Sequence, residues 1–345
     1  MTLHSEILEQ PKRLSELVVN QREAVEYAAR EIKRRDVQFV FLAARGTSDN
    51  AGRYANYLLG GVNGLPLALA TPSLFTFYHT PPRLKNALVI GISQSGKSPD
   101  IVSVLTEGQQ QGCLTLALTN VPDSPLAKSA DLLLDLQAGP ENAVAATKTY
   151  TAQLMTLAML SAALKGDASA WEDLVRVSEW VEDVLRWDAS IEQAVQRYRY
   201  MQQCVVLGRG YNYATAFEWA IKLKELTYIG AEPYSSADFM HGPIAIVNGG
   251  FPVLTVAPSG KVFDSMFEIM NMLKNDLKAE LVVISNEPSA LKLAEVALPL
   301  PASLPEWLSP IPSIVAGQLF AYHLTRIKGN NTEQPRTIHK VTETE

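Results

Sequence analysis

The chain is poor in cysteine, in histidine and in long apolar runs, and each shortage removes a class of protein. Two cysteines in 345 residues, Cys113 and Cys204, cannot staple a fold of this size, and their spacing is not that of a metal site. Each lies beside an apolar strand-like run, so a reduced, buried thiol is expected, as in the cytoplasm. The longest apolar stretch, TAQLMTLAMLSAALKG, is interrupted by Gln153 and Thr156 and is too short to cross a bilayer. The opening MTLHSEILEQPKRLSEL carries acids and Pro11 where a secretory leader needs an apolar core. A net charge of −6 argues against a broad nucleic-acid surface, although one basic pocket would still be compatible with it. No low-complexity segment occurs. What remains is a soluble chain, 47% hydrophobic and long enough for about two domains.

The chain contains itself twice. VQFVFLAA runs into Arg45-Gly46, and QCVVLG runs into Arg209-Gly210, 164 residues later. NALVIGIS leads to Ser95-Gly96-Lys97, and FPVLTVAP leads to Ser259-Gly260-Lys261 at the same spacing. A third pair, CLTLALTN and ELVVISN, ends at Asn120 and Asn286. Three ordered matches at nearly one offset indicate internal duplication. Both copies alternate short β-rich runs with helical patterns, which predicts βαβ crossovers and a parallel sheet in each.

The expected division is a helical segment over 1–34, a first α/β domain over 35–166, a helical linker over 167–199, a second domain over 200–328 and an irregular tail over 329–345. In the first copy a helix opened by Ser48 and closed by Gly60 is expected. A second has Ser98 as N-cap, Pro99 at its first position and Gly112 as its stop, and Thr147 is placed to cap a third that ends at Gly166.

Ligands of open parallel sheets bind beyond the carboxyl ends of the strands. Three such ends of the first copy carry hydroxyls at helix starts: Gly46-Thr47-Ser48, then Ser93-Gln94-Ser95-Gly96 with Ser98, then Ala146-Thr147. Helix N-termini offer unpaired N–H groups and a positive dipole end, which suit a phosphate. Any one of these serines could be a simple cap; three clusters at equivalent strand ends favour an anion cradle. Gly91–Ser98 also fits the nucleotide P-loop pattern, with Asp135 as an acid for magnesium. Pro99 opposes that reading, because it pushes Ser98 out of the α region and leaves Lys97 outside the helix. The second copy keeps Ser259 but has no Ser after Gly210.

Acid–base candidates lie in the second copy. Glu218, Lys222 and Glu225 share one helix face, a spacing that by itself more often marks a solvated ion-pair stripe. Glu232 follows, and then His241, which Gly242-Pro243 turns sharply. Among the histidines at 4, 79, 241, 323 and 339, His241 is expected to be the one held rigidly. Moving a proton between adjacent sugar carbons needs a carboxylate, and opening the ring needs an acid. Spacing alone does not choose among these groups.

RGTS, SQSGKS, ATKTYTAQL, GRG, AFEWAIKLKELTYI, AEPYSSADFMHGPIA and the closing QPRTIHKVTETE resemble the sugar isomerase (SIS) domain family, nearest to the isomerase half of glucosamine-6-phosphate synthase. Even SEILEQP is similar, so the resemblance spans nearly the whole chain. It implies two flavodoxin-like SIS domains, in a homodimer. It also implies that Ser48, Ser93, Gln94, Ser95 and Ser98 hold a phosphate, with Gly46, Thr47, Ala145 and Thr147 beside the substrate. Glu225 would then be the base between C1 and C2, with Glu218 and Lys222 lining the same pocket. His241, given by the neighbouring subunit, would open the ring, and Lys340 in the tail would close over the sugar. No cofactor or metal is implied.

The sequence departs from the family pattern at Ala146, at Lys97 and Ser98, and at Gly230. Thr2 follows Met1 where a glutaminase half would start with a cysteine, so channelled ammonia is not expected. The resulting expectation is a deaminase or isomerase that converts glucosamine 6-phosphate to fructose 6-phosphate and ammonia. A fructosamine-6-phosphate deglycase, a glutamine-independent component of glucosamine-6-phosphate synthesis, and a non-catalytic sugar-phosphate sensor are the alternatives.

Overall fold

The structure, a computed structural model, describes residues 2–340. It divides into two compact units. One comprises residues 12–141 and 148–175 with His339 and Lys340; the other comprises residues 2–11, 142–147 and 176–338.

The first unit is built on five strands: β1 Phe39–Ala43, β2 Leu67–Leu69, β3 Ala87–Ile92, β4 Leu114–Thr119 and β5 Leu132–Asp135. They lie in the order β2-β1-β3-β4-β5, every pair parallel. The central strands β3 and β4 are buried at every residue. That explains their continuous apolar runs, since helices cover both faces of a parallel sheet. On one face Phe41, Val89 and Ala117 pack with Ile101, Val104 and Leu105 of the Pro99–Gln110 helix.

The second unit repeats the plan with β6 Gln203–Gly208, β7 Gly230–Ser235, β8 Pro252–Val256, β9 Glu280–Ser285 and β10 Val296–Pro299. Their order is β10-β9-β8-β6-β7, again all parallel. Counted from the first strand of each copy, both sheets read 2-1-3-4-5, the doubly wound flavodoxin-like order. The repeat expected from the sequence is therefore a repeat of topology. The helices 168–185 and 188–194 follow the first copy in the chain, and no helix among the described residues is long and apolar enough to cross a membrane.

Two helix starts differ in detail. The helix expected to open at Ser48 runs Thr47–Ala55 with Gly46 as its N-cap, at φ +53° and ψ −125°. The glycine makes the turn, and Ser48 sits inside the first turn instead of capping it. Past the expected stop at Gly60, the chain continues as a wider helical turn over Asn56–Val62. The Pro99–Gln110 helix begins as expected, with Ser98 extended at ψ 112° and Pro99 at the first position. Over residues 329–340 the tail forms neither helix nor strand, yet it is held, while residues 341–345 of the expected tail lie outside the described residues. Arg336 stacks on Tyr228 at 4.0 Å, and the Leu3 N–H donates to Glu333 at 2.9 Å.

Candidate active site

In the first unit the Ser93–Ser98 loop follows β3 and ties itself off. Ser93 Oγ accepts from the Gly96 N–H at 3.1 Å and Ser95 Oγ from the Lys97 N–H at 3.3 Å. Each hydroxyl keeps its own proton to donate. Gly96 stands at φ +62°, and a Cβ there would lie 2.1 Å from Ser124 Oγ, so only glycine lets this turn close on its neighbour. Ser98 makes no side-chain capping bond, and Lys97 is exposed. The Gly-Lys-Ser segment precedes the helix instead of forming its first turn, which removes the P-loop reading.

The neighbouring helix start is fixed by buried groups. Ser48 Oγ accepts from Gln153 Nε2 at 3.0 Å, and Arg45 Nε donates to the fully buried Asp100 at 2.7 Å. Thr47 is half-buried beside it. Thr47, Ser48, Ser93, Gln94, Ser95 and Ser98 thus stand at the carboxyl ends of the adjacent strands β1 and β3, where an anion can be bound. The Arg45–Asp100 tie was not anticipated; a single acid after Pro99 reads as an ordinary first-turn residue. Asp135, at the end of β5, has its pKa raised by burial.

Glu141 is a second missed residue. Its side chain is fully buried and accepts from the Thr149 N–H at 3.1 Å, from Thr149 Oγ1 at 2.8 Å, and from Lys340 Nζ at 2.6 Å. The tail lysine singled out from sequence is therefore docked on a buried carboxylate.

Ala145 and Thr147 belong to the other unit. Their loop is anchored by Glu6, whose buried carboxylate accepts from the N–H of Asn142 at 2.5 Å and of Ala143 at 3.3 Å. The opening segment of the chain thereby sets the path of residues 142–147.

In this unit the Tyr213–Thr227 helix carries the acid–base candidates. Lys222 Nζ lies 2.6 Å from Glu225 Oε2 and 3.4 Å from Glu218 Oε1. The Lys222 side chain is 1% exposed, Glu218 0% and Glu225 24%. A solvated stripe is thereby ruled out: these are charges withdrawn from water, a costly arrangement that needs compensating partners. The helix is enclosed because it packs on the apolar Pro310–Ile327 helix, with Trp219 edge-on to Phe320 at 5.5 Å.

His241 corrects an expectation. Gly242, at φ 136°, and Pro243 do turn the chain there, but the His241 ring is exposed, and Glu232 on β7 is exposed too. The firmly held histidine is His323, which is 2% exposed and bonded to Asp188.

The second copy's own cradle is filled from within. The Lys261 N–H donates to Glu306 Oε2 at 3.0 Å, and a Cβ on Gly260 would lie 2.2 Å from the Glu306 carboxyl carbon. Where the first copy presents hydroxyls, the second presents the Lys261 N–H to its own carboxylate.

Two doubly wound sheets of one order, with a hydroxyl-lined cradle in one copy and a buried carboxylate–lysine cluster in the other, define a tandem α/β protein. The SIS domain profile matches residues 35–163 and 200–328, and the chain belongs to the SIS domain family. It is 34% identical to the glutamine–fructose-6-phosphate aminotransferase (isomerizing) of Thermococcus kodakarensis, over 97% of this chain and 56% of that one. To the protein of the same name from Gloeobacter violaceus it is 35% identical, over 88% and 52%. The C-terminal domain of glucosamine-fructose-6-phosphate aminotransferase from Francisella tularensis superposes with a TM-score of 0.86 at 27% identity, covering 96% of this chain and 98% of that one. The chain spans about half the length of the curated relatives it matches.

Proposed function

We propose that the chain is a sugar-phosphate isomerase that converts glucosamine 6-phosphate, with water, to fructose 6-phosphate and ammonia. The observation that carries the reading is the buried Glu218–Lys222–Glu225 cluster, because phosphate binding alone has no use for it. In this reading Ser48, Ser93, Gln94, Ser95 and Ser98 hold the phosphate, with Gly46, Thr47, Ala145 and Thr147 against the sugar. Glu225 takes the C2 proton of the open-chain amino aldehyde and delivers it to C1. The enolamine becomes a C2 imine, and water replaces the nitrogen to leave the ketone. Lys222 holds the Glu225 carboxylate in place, and Glu218 balances Lys222.

His241, exposed in a single chain, opens the ring as a group donated by the second copy of a homodimer. Lys340 leaves Glu141 to close over the sugar. We place this activity in the cytoplasm.

The test incubates the pure protein with glucosamine 6-phosphate and follows ammonia and fructose 6-phosphate together. Glu225→Gln should lower turnover by a factor of at least about 100, the usual share of a positioned base. No turnover, or turnover indifferent to Glu225→Gln, sinks the proposal. Tight binding that survives loss of both Glu225 and His241 would mark a sensor instead.

A further inference from the structure

A second cluster of polar side chains has no part in that chemistry. His4 comes from the short Leu3–Leu8 helix, Asp188 opens the Asp188–Ala194 helix, and His323 lies on the Pro310–Ile327 helix. Three elements far apart in sequence, all in the same unit, converge on one carboxylate. His323 Nε2 lies 2.6 Å from Asp188 Oδ1 and His4 Nε2 lies 2.8 Å from Asp188 Oδ2. One nitrogen from each ring and one carboxylate oxygen fall within 4.8 Å of one another.

We propose that His4, Asp188 and His323 form a binding site for a divalent transition-metal ion of the zinc class, which staples the first helix of the chain to the Asp188–Ala194 and Pro310–Ile327 helices. Two imidazoles and one carboxylate are a ligand set that suits such an ion. The other nitrogen of His323 supplies the second argument. Nδ1 is buried and finds no hydrogen-bond partner, while Glu192 Oε1 stands 3.9 Å away. If Nε2 carries the proton, a bare lone pair at Nδ1 faces a carboxylate. If Nε2 binds a metal, the proton moves to Nδ1 and points at Glu192, the carboxylate–histidine–metal arrangement that orients ligating histidines. Arg326 holds the same Glu192 oxygen at 2.9 Å.

The His4 ring is already oriented, stacked on Tyr322 at 4.7 Å and 5°. Ligand atoms around a tetrahedral ion lie about 3.3 Å apart, so binding opens the carboxylate contacts at 2.6 and 2.8 Å and draws in any pair near the 4.8 Å limit. His4, on a six-residue helix and 29% exposed, has that freedom, and its exposed side leaves room for a water ligand.

The experiment strips the whole chain with chelator and titrates it with Zn2+ by calorimetry, with Co2+ as a spectroscopic probe of nitrogen and oxygen ligation. One equivalent should bind per chain, and a hundredfold excess over Kd should raise Tm by about 5 °C. His4→Ala, at a partly exposed position that tolerates truncation, should weaken binding by more than tenfold. Glu192→Gln, which touches no metal, should weaken it by about tenfold through the His323 ring. Absence of stoichiometric binding, or binding unchanged in His4→Ala, overturns the proposal and leaves two imidazoles sharing a carboxylate. Glucosamine 6-phosphate turnover, measured in parallel, should survive His4→Ala, so a failure here is separable from a failure of the proposed reaction.

Discussion

Replacing Lys222 with methionine keeps the stem of the side chain and deletes its charge. The ammonium stands between Glu218 at 3.4 Å and Glu225 at 2.6 Å, and the first of these carboxylates has no exposure at all. Removing one partner of a buried ion pair costs about 3–5 kcal/mol, chiefly because the remaining charge stays desolvated. Glu225, at 24% exposure, can turn toward water; Glu218 cannot. Most of the cost should therefore be assignable to Glu218, and Glu218→Gln placed on Lys222→Met should restore about half of it. Urea unfolding followed by tryptophan fluorescence is the suitable assay. Trp219 lies on the same helix and is fully buried, and Trp180, Trp187 and Trp307 belong to the same unit. A loss under about 1 kcal/mol in Lys222→Met, or a double variant no more stable than the single, would refute a desolvated cluster held together by its cation.

Burial pushes the Cys204 thiol up to about 12 from its ordinary 9.0. Because the folded value is the higher one, the corresponding stability is whole below about pH 9 and is lost as pH climbs to about 12; three pH units correspond to about 4 kcal/mol. Cys204→Ala should flatten that alkaline decline in a pH series of urea melts, and a decline of equal slope in both proteins contradicts the assignment. Gly96→Ala forces a Cβ onto Ser124 at a positive φ, with about 1–2 kcal/mol of backbone cost before any clash. Fructose 6-phosphate affinity measured by calorimetry should fall at least tenfold, and unchanged affinity would take the Ser93–Ser98 loop out of the binding site. Glu306→Ala deprives the exposed Lys261 N–H of its acceptor, for about 0.5–1.5 kcal/mol. Inorganic phosphate should then raise the Tm of the variant more than that of the parent, and equal rises would show that the second cradle takes no free anion.

What could be read from the sequence was whatever repeats or runs in blocks. β1, β3, β4, β6, β8 and β9 are central or near-central and buried, so their apolar runs announced themselves, and one offset tied the copies together. β7 does not announce itself in this way. It is an edge strand with Pro233 in it, and only Ala231 is buried, so it carries neither a run nor a clean alternation. β2, three residues long at the opposite edge of its own sheet, is weaker still. The hydroxyl loops were visible because several similar residues sit at equivalent strand ends. Glu6, Glu141 and Asp100 were not, because each is a lone acid whose partners are backbone N–H groups or side chains far along the chain. The same holds for His323, whose neighbours in the chain give no hint of Asp188. His241 looked constrained because its backbone is, and a constrained backbone says little about where a ring goes.

The Glu306 carboxylate in the second cradle gives the duplicated copy a ligand it can never release. A tethered anion meets its site at an effective concentration set by the chain, far above that of any dissolved competitor. The local fold of that copy is thus indifferent to dissolved anions, while the first copy presents hydroxyls in the same place. Two sheets of identical order in one polypeptide then differ in kind, one with a loop lined by hydroxyls and the other with a loop closed by a carboxylate of its own.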